Sequence, residues 1–269
     1  MAKKHHANYH SHTYLCGHAE GSPLDYVKEA IKKNIKIIGI SEHAPMANLR
    51  NENSRLKEEE YQTYHKLLDE AKNYADKNGI DFYKGLEIEY FPHIKVYDKY
   101  LKDLDYLILG QHYILEDDGT YQSAFGFTNF DQVKRYAETI IKALKTNYFN
   151  MLCHLDLCFF NITNPTNEMY EELRKVVKVA KKYNIPIELN ANGIRRSVRE
   201  EGRLDYSLFK YPKVKLFEIV KEEGADVIVT SDAHKKEFLV DDAVKEAYTF
   251  LDKLNIKPIY ELNMKYYHK

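Results

Sequence analysis

Apolar runs and amphipathic segments alternate along almost the whole chain, and no other feature constrains the fold as much. Ser22-Pro23-Leu24-Asp25 reads as a helix start, with Ser as N-cap and Pro at the first helical position. That helix should run to Lys33 with Val27, Ala30 and Ile31 inward, and the β-branched run Ile35 to Ile40 reads as a buried strand. The pattern then repeats. Helices are expected over Glu58 to Asn78 (stopped by Gly79), Val96 to Leu101, Phe130 to Lys145, Asn167 to Tyr183, Lys213 to Glu223 and Val240 to Leu254. Strands are expected over Ile80 to Glu89, Tyr106 to Leu109, Phe149 to Cys153, Ile185 to Leu189 and Asp226 to Thr230, with Lys257 to Leu262 a last short strand or tail. The stretch Tyr113 to Thr128 reads as a long aromatic loop. Such alternation predicts a parallel sheet covered by helices. Seven strand-helix units fit a closed α/β barrel better than an open sheet, and no Gly-rich nucleotide loop follows an early strand. No linker or repeat divides the chain, so 1–269 is read as one domain.

The second feature is what stands at the strand ends. His10 and His12 are two apart, so on one short strand both imidazoles aim at one point. Taken alone the pair reads equally well as a His-rich tail or tag remnant. The later strands decide otherwise, because they end in His43, Glu87, His112, His154, Asp232 and His234, with His18 just beyond the first strand. In a parallel barrel these ends share one face, where active sites are built. Seven of the twelve histidines fall there; His5, His6 and His268 are terminal, His65 is mid-helix and solvated, and His93 is a loop residue. Seven imidazoles and two carboxylates brought together without a cation would cost too much desolvation. They are also too many for one ion of four to six ligands, which points to two or three divalent metals, Zn, Mn, Fe or Co. Glu89 competes with Glu87, since both lie on one strand face. Glu42 and Asp156 are candidates for supporting the ligands, and Cys16 for packing.

Composition sets limits. A net charge of -1 offers no global field for nucleic acid or an anionic membrane, so neither is expected as a partner. No apolar run approaches a membrane span, and the basic start has no apolar segment after it. Three cysteines without Cys-x-x-Cys spacing suit a reducing cytoplasm. Oligomeric state is not legible.

As an ordered set, His-x-His with a third His soon after, Glu-His, Gly-Leu-Glu, Gln-His, Cys-His-Leu-Asp and Ser-Asp-Ala-His resemble the polymerase and histidinol phosphatase (PHP) family over nearly the whole chain. Length and the Glu188 to Gly193 segment look most like its stand-alone histidinol-phosphate phosphatases. The resemblance implies a distorted seven-stranded barrel and a trinuclear site at the C-terminal strand ends. One metal would take His10, His12, Glu87 and Asp232. A second would take Glu87, His112 and His154, and a third His18, His43 and His234. Glu87 is chosen over Glu89 because it follows Gly85-Leu86. The implied reaction is hydrolysis of L-histidinol phosphate, a step of histidine biosynthesis, by attack of a metal-bridging hydroxide, with Glu87 and Asp232 at the reacting centre. Asp156 is the candidate acid for the leaving alcohol. Arg195 or Arg196 suits the phosphate dianion, and Ser11 is a further candidate contact. Glu116, Asp117 and Asp118 could meet the amine, and Phe125 or Phe127 could cover the imidazole. Rival readings are a phosphodiester exonuclease, a phosphotyrosine phosphatase and a non-catalytic metal-binding module.

Overall fold

A computed structural model describes residues 5–46, 49, 52–201 and 204–264. Seven parallel strands form a nearly closed barrel: β1 (Ala7–Asn8), β2 (Ile37–His43), β3 (Asp81–Ile88), β4 (Tyr106–Leu109), β7 (Met151–Leu152), β8 (Ile187–Asn190) and β9 (Val227–Thr230), paired in that order. The barrel fold matches the expectation. Between the first and last strands the seam closes past their ends, where Ser11 bridges Ala233. There His12 N donates to Ala233 O at 2.9 Å and Ala233 N to His10 O at 3.2 Å.

Local chemistry explains the outer layer. Helix α1 (Pro23–Lys33) opens on a capping box in which Ser22 and Asp25 satisfy each other's backbone N–H, and it ends on a left-handed Asn34. Helix α4 (Phe130–Leu144) uses Asn129 and Gln132 in the same way. Thr166 caps α5 (Asn167–Lys182) and Asp241 caps α8 (Asp242–Lys253). The other helices are α2 (Tyr61–Lys77), α3 (Tyr97–Asp103), α6 (Ala191–Glu201) and α7 (Val214–Glu223). Their apolar faces pack on the sheet in one large core.

A second, smaller cluster fills the barrel floor, with Tyr9, Tyr106, Ile108, Met151 and Ile228 at its centre. Tyr106 crosses the barrel to donate to Tyr9 O at 2.7 Å. A Cβ on Gly39 or Gly85 would collide with its ring, so those two glycines make its room.

Several expectations change. Strand β1 is only two residues long, so His10 and His12 lie past it on extended chain rather than on the strand itself. The expected loop 113–128 holds an antiparallel hairpin, β5 (Tyr113–Leu115) with β6 (Tyr121–Ser123). Helix α6 begins immediately after β8, where no helix was expected. The last segment contributes an isolated bridge between Ile259 and Ile228. His5 is buried and bonded to the Tyr248 hydroxyl at 3.0 Å, not a solvated end. His65 packs edge-on to Tyr61.

Candidate metal centre

The strand order brings all nine expected ligands to the C-terminal mouth of the barrel. Glu87, at the end of β3, stands at the centre and is 1% exposed. Its Oε2 lies 2.8 Å from His43 Nδ1, 3.4 Å from His10 Nε2 and 3.5 Å from His12 Nε2. Its Oε1 lies 2.8 Å from His154 Nε2 and 3.6 Å from His112 Nε2. A Cβ on Gly110 would occupy the place of this carboxylate. Asp232 Oδ1 completes the set at 3.2 Å from His12 Nε2 and 3.6 Å from His10 Nε2. His154 and Asp232 have positive φ, 26° and 43°, so the chain turns sharply at the ends of β7 and β9. Non-glycine residues held there store strain, a feature that concentrates at functional sites.

A layer of acceptors orients the rings. His10 Nδ1 lies 2.6 Å from Glu188 Oε1, His12 Nδ1 3.3 Å from Glu42 Oε1 and His112 Nδ1 3.0 Å from Glu89 Oε1. Backbone carbonyls do the same for His18, through Cys16 O at 3.1 Å, and for His234, through Asp232 O at 3.2 Å. A carboxylate or carbonyl at Nδ1 takes its N–H, leaving the Nε2 lone pair for a cation. The Nε2 atoms of His18 and His234 consequently face each other at 3.0 Å.

This donor set fits divalent metal. The Nε2 atoms of His10 and His12, Glu87 Oε2 and Asp232 Oδ1 are buried without a hydrogen-bond partner among the described residues, which is costly unless a cation takes them. Close ligand-atom groups form at His10, His12 and Asp232, at His10, Glu87 and His154, at His43, Glu87 and His112, and at His12, His43 and His234. Burial, with His12 beside both, pushes His43 down to about 3 and His234 to about 4, so both offer neutral nitrogen. Burial works against charge on Glu87 and Asp232, yet the surrounding imidazoles hold both well below the usual carboxylate range.

A family model, described as the PHP domain, matches residues 8–192, more than half of the chain. The chain belongs to the PHP domain family. A probable histidinol-phosphatase of Deinococcus radiodurans is 28% identical to it over 88% of this chain and 90% of that protein. The fold is similar to that of the hisK protein of Listeria monocytogenes (TM-score 0.71, 18% identity, 89% of this chain and 99% of that one). It is also similar to a histidinol phosphate phosphatase from Lactococcus lactis complexed with Zn, L-histidinol and phosphate (TM-score 0.67, 16% identity, 96% and 98%).

In this PHP domain the mouth opens into a cavity of about 730 Å³, with Glu87 and Asp232 on its inner wall and Phe125, Arg196 and Tyr211 farther around it. Of the expected substrate residues, Arg196 and Phe125 line it. Arg196 packs over the rings of Phe160 at 4.9 Å and Phe125 at 5.6 Å. Arg195 turns away to Asp241 Oδ2 at 2.6 Å and Ser231 O at 3.3 Å. Ser11 is buried at the seam, its Oγ accepting from Asn8 Nδ2 at 2.8 Å, and does not reach the cavity. Asp156 is also off the cavity wall, because its Oδ2 accepts the Lys213 N–H at 2.5 Å. Burial pushes its carboxyl up to about 6. Glu116 and Asp117 pair with Arg135 at 2.5 and 3.3 Å, and Asp118 accepts from Thr120 at 2.7 Å. Phe127 sits in the core while Phe125 lines the cavity.

Sequence reasoning missed Glu188 and Arg55. Glu188 reads as one residue of an apolar strand, yet it holds His10, accepts the His154 N–H at 2.8 Å and bonds Thr230 and Asn190. Its signal was a lone acid in an apolar run, two residues before Asn190 on the same strand face. Arg55 forks onto both oxygens of Glu89 at 3.0 and 3.2 Å, which separates Glu89 from Glu87.

Proposed function

We propose that this PHP-family phosphatase hydrolyses L-histidinol phosphate to L-histidinol and phosphate, as a step of histidine biosynthesis in the cytoplasm, and that 1–269 acts as one domain. The observation that carries the reading is the convergence of nine ligand candidates on a cavity able to admit a small phosphate ester. The likeness along nearly all of both chains to a protein named as a probable histidinol-phosphatase supports the choice of substrate. Free, buried Cys16, Cys153 and Cys158 agree with a reducing compartment. No helix among the described residues is long and apolar enough to cross a membrane.

In this reading His10, His12, Glu87 and Asp232 hold one divalent ion, Glu87, His112 and His154 a second, and His18, His43 and His234 a third, with Zn or Mn the first candidates. Bound there, such ions supply a water activated near neutral pH and positive charge for the phosphoryl oxygens. The protein's own part is orientation. Glu188, Glu42 and Glu89 lock three imidazoles by their Nδ1 atoms, and Arg55 in turn locks Glu89. Arg196, stacked between Phe125 and Phe160, presents a guanidinium to the cavity as the phosphate's protein-side partner. Asp156 is not assigned the acid role, since its carboxylate is occupied by the Lys213 N–H.

The deciding experiment is phosphate release from L-histidinol phosphate beside a phosphotyrosine peptide and a short single-stranded oligonucleotide. The protein is prepared without chelator and assayed with added Mn or Zn. Selective release from histidinol phosphate is expected. Turnover of either alternative instead would keep the metal centre and discard this substrate.

A further inference from the structure

The cavity carries a phenol that none of the roles above uses. Tyr211 lines it beside His154, Asp232 and Arg196, and is only 3% exposed. Its ring centroid lies 6.4 Å from that of His154 and 6.5 Å from that of Phe160. Two contacts and one anchor on the following chain fix it there. A Cβ on Gly193 would collide with the ring, so glycine at that place in α6 makes its seat. Ser197 Oγ, bonded to Gly193 O at 2.8 Å, also reaches Tyr211 O at 3.4 Å. Two residues on, the Lys213 N–H is held by Asp156.

The phenol is thus placed with care but left open at its tip. Among the described residues its hydroxyl makes no hydrogen bond. A held, uncommitted donor on a buried side chain of the cavity wall suits an oxyanion, because it needs no reorganisation when charge arrives.

We infer that Tyr211 is a substrate-contacting residue whose hydroxyl donates a hydrogen bond to a non-bridging oxygen of the phosphoryl group, with Gly193 and Asp156 as the positioning residues that seat it. This assignment rests on the phosphatase reading and deepens it. It gives the buried Asp156 carboxylate a purpose other than proton transfer, and it assigns the segment before α7 to the active site.

Tyr211→Phe, Asp156→Asn and Asp156→Ala test it, each with metal content measured. Inorganic phosphate affinity by calorimetry is read without turnover, and kcat and KM are read on L-histidinol phosphate. If the wild type binds phosphate but does not turn over histidinol phosphate, the substrate reading fails while Tyr211 is still judged by phosphate affinity. Tyr211→Phe keeps the ring against Gly193 and should weaken phosphate about tenfold to a hundredfold with metal content unchanged, the range for a hydrogen bond to a charged group. Affinity within about twofold of wild type overturns the assignment. Asp156→Asn keeps an acceptor for the Lys213 N–H and should retain wild-type affinity and pH profile, while Asp156→Ala should fall with Tyr211→Phe. An Asn variant as impaired as the Ala variant overturns the positioning role, because the carboxyl proton is then required.

Discussion

The floor and the mouth of the barrel are built on the same seven strands but answer to different physics. In the floor, Tyr9, Tyr106, Ile108, Met151 and Ile228 bury apolar surface, and the only demand is that their shapes fill the space. A few residues farther along the same strands, Glu87, His112, His154 and Asp232 bury polar atoms, several without partners. Burial stabilises the first region and penalises the second. The contrast teaches that the mouth is held in place by the floor and the helices, and that its own arrangement favours a cation rather than the fold.

The contrast can be broken from either side. Glu87→Gln should have the largest effect, because one carboxylate serves five imidazoles. Metal analysis should show loss of bound metal, and phosphatase activity should drop about a thousandfold or more. A variant that kept full metal and activity would remove Glu87 from the centre. Tyr106→Ala acts on the floor alone. It should cost about 3–5 kcal/mol in urea unfolding, the range for losing a buried aromatic ring, while metal content per folded chain stays unchanged. Loss of metal in that variant would show that the two regions are not separable. Glu188→Gln touches the layer between them, and metal affinity measured by chelator competition should fall about tenfold to a hundredfold. The smallest effect belongs to His5, outside the cluster. Burial holds its pKa down at about 4, against 6.5 when unfolded, so the unfolded chain binds the extra proton as pH falls below 6.5. Stability should therefore decline by roughly 1 kcal/mol between pH 6 and pH 5 on its account. Equal acid slopes for wild type and His5→Asn would refute that cause.

Much of the mouth was legible in the sequence because most of the ligand candidates close an apolar run, and an apolar run ending in His, Glu or Asp is a local signal. Element order was legible for the same reason, through periodicity and caps such as Ser22 and Asn129. The hairpin at Tyr113–Ser123 was not, since its strands are three residues each and pair only with each other. Nor was Arg55, whose partner Glu89 lies 34 positions away. Glu188 was legible only as a lone acid in an apolar strand; its partner, the His10 ring 178 positions earlier, was not.

By itself, then, the sequence determined the alternation of strands and helices and which residue types end the strands, because both are written in short-range spacing. Tertiary structure alone decided that Glu89 turns to Arg55, that Arg196 and not Arg195 reaches the cavity, and that Asp156 turns to Lys213. Those outcomes depend on the direction of a side chain and on partners brought close only when the barrel closes between Ser11 and Ala233, and no local pattern encodes them.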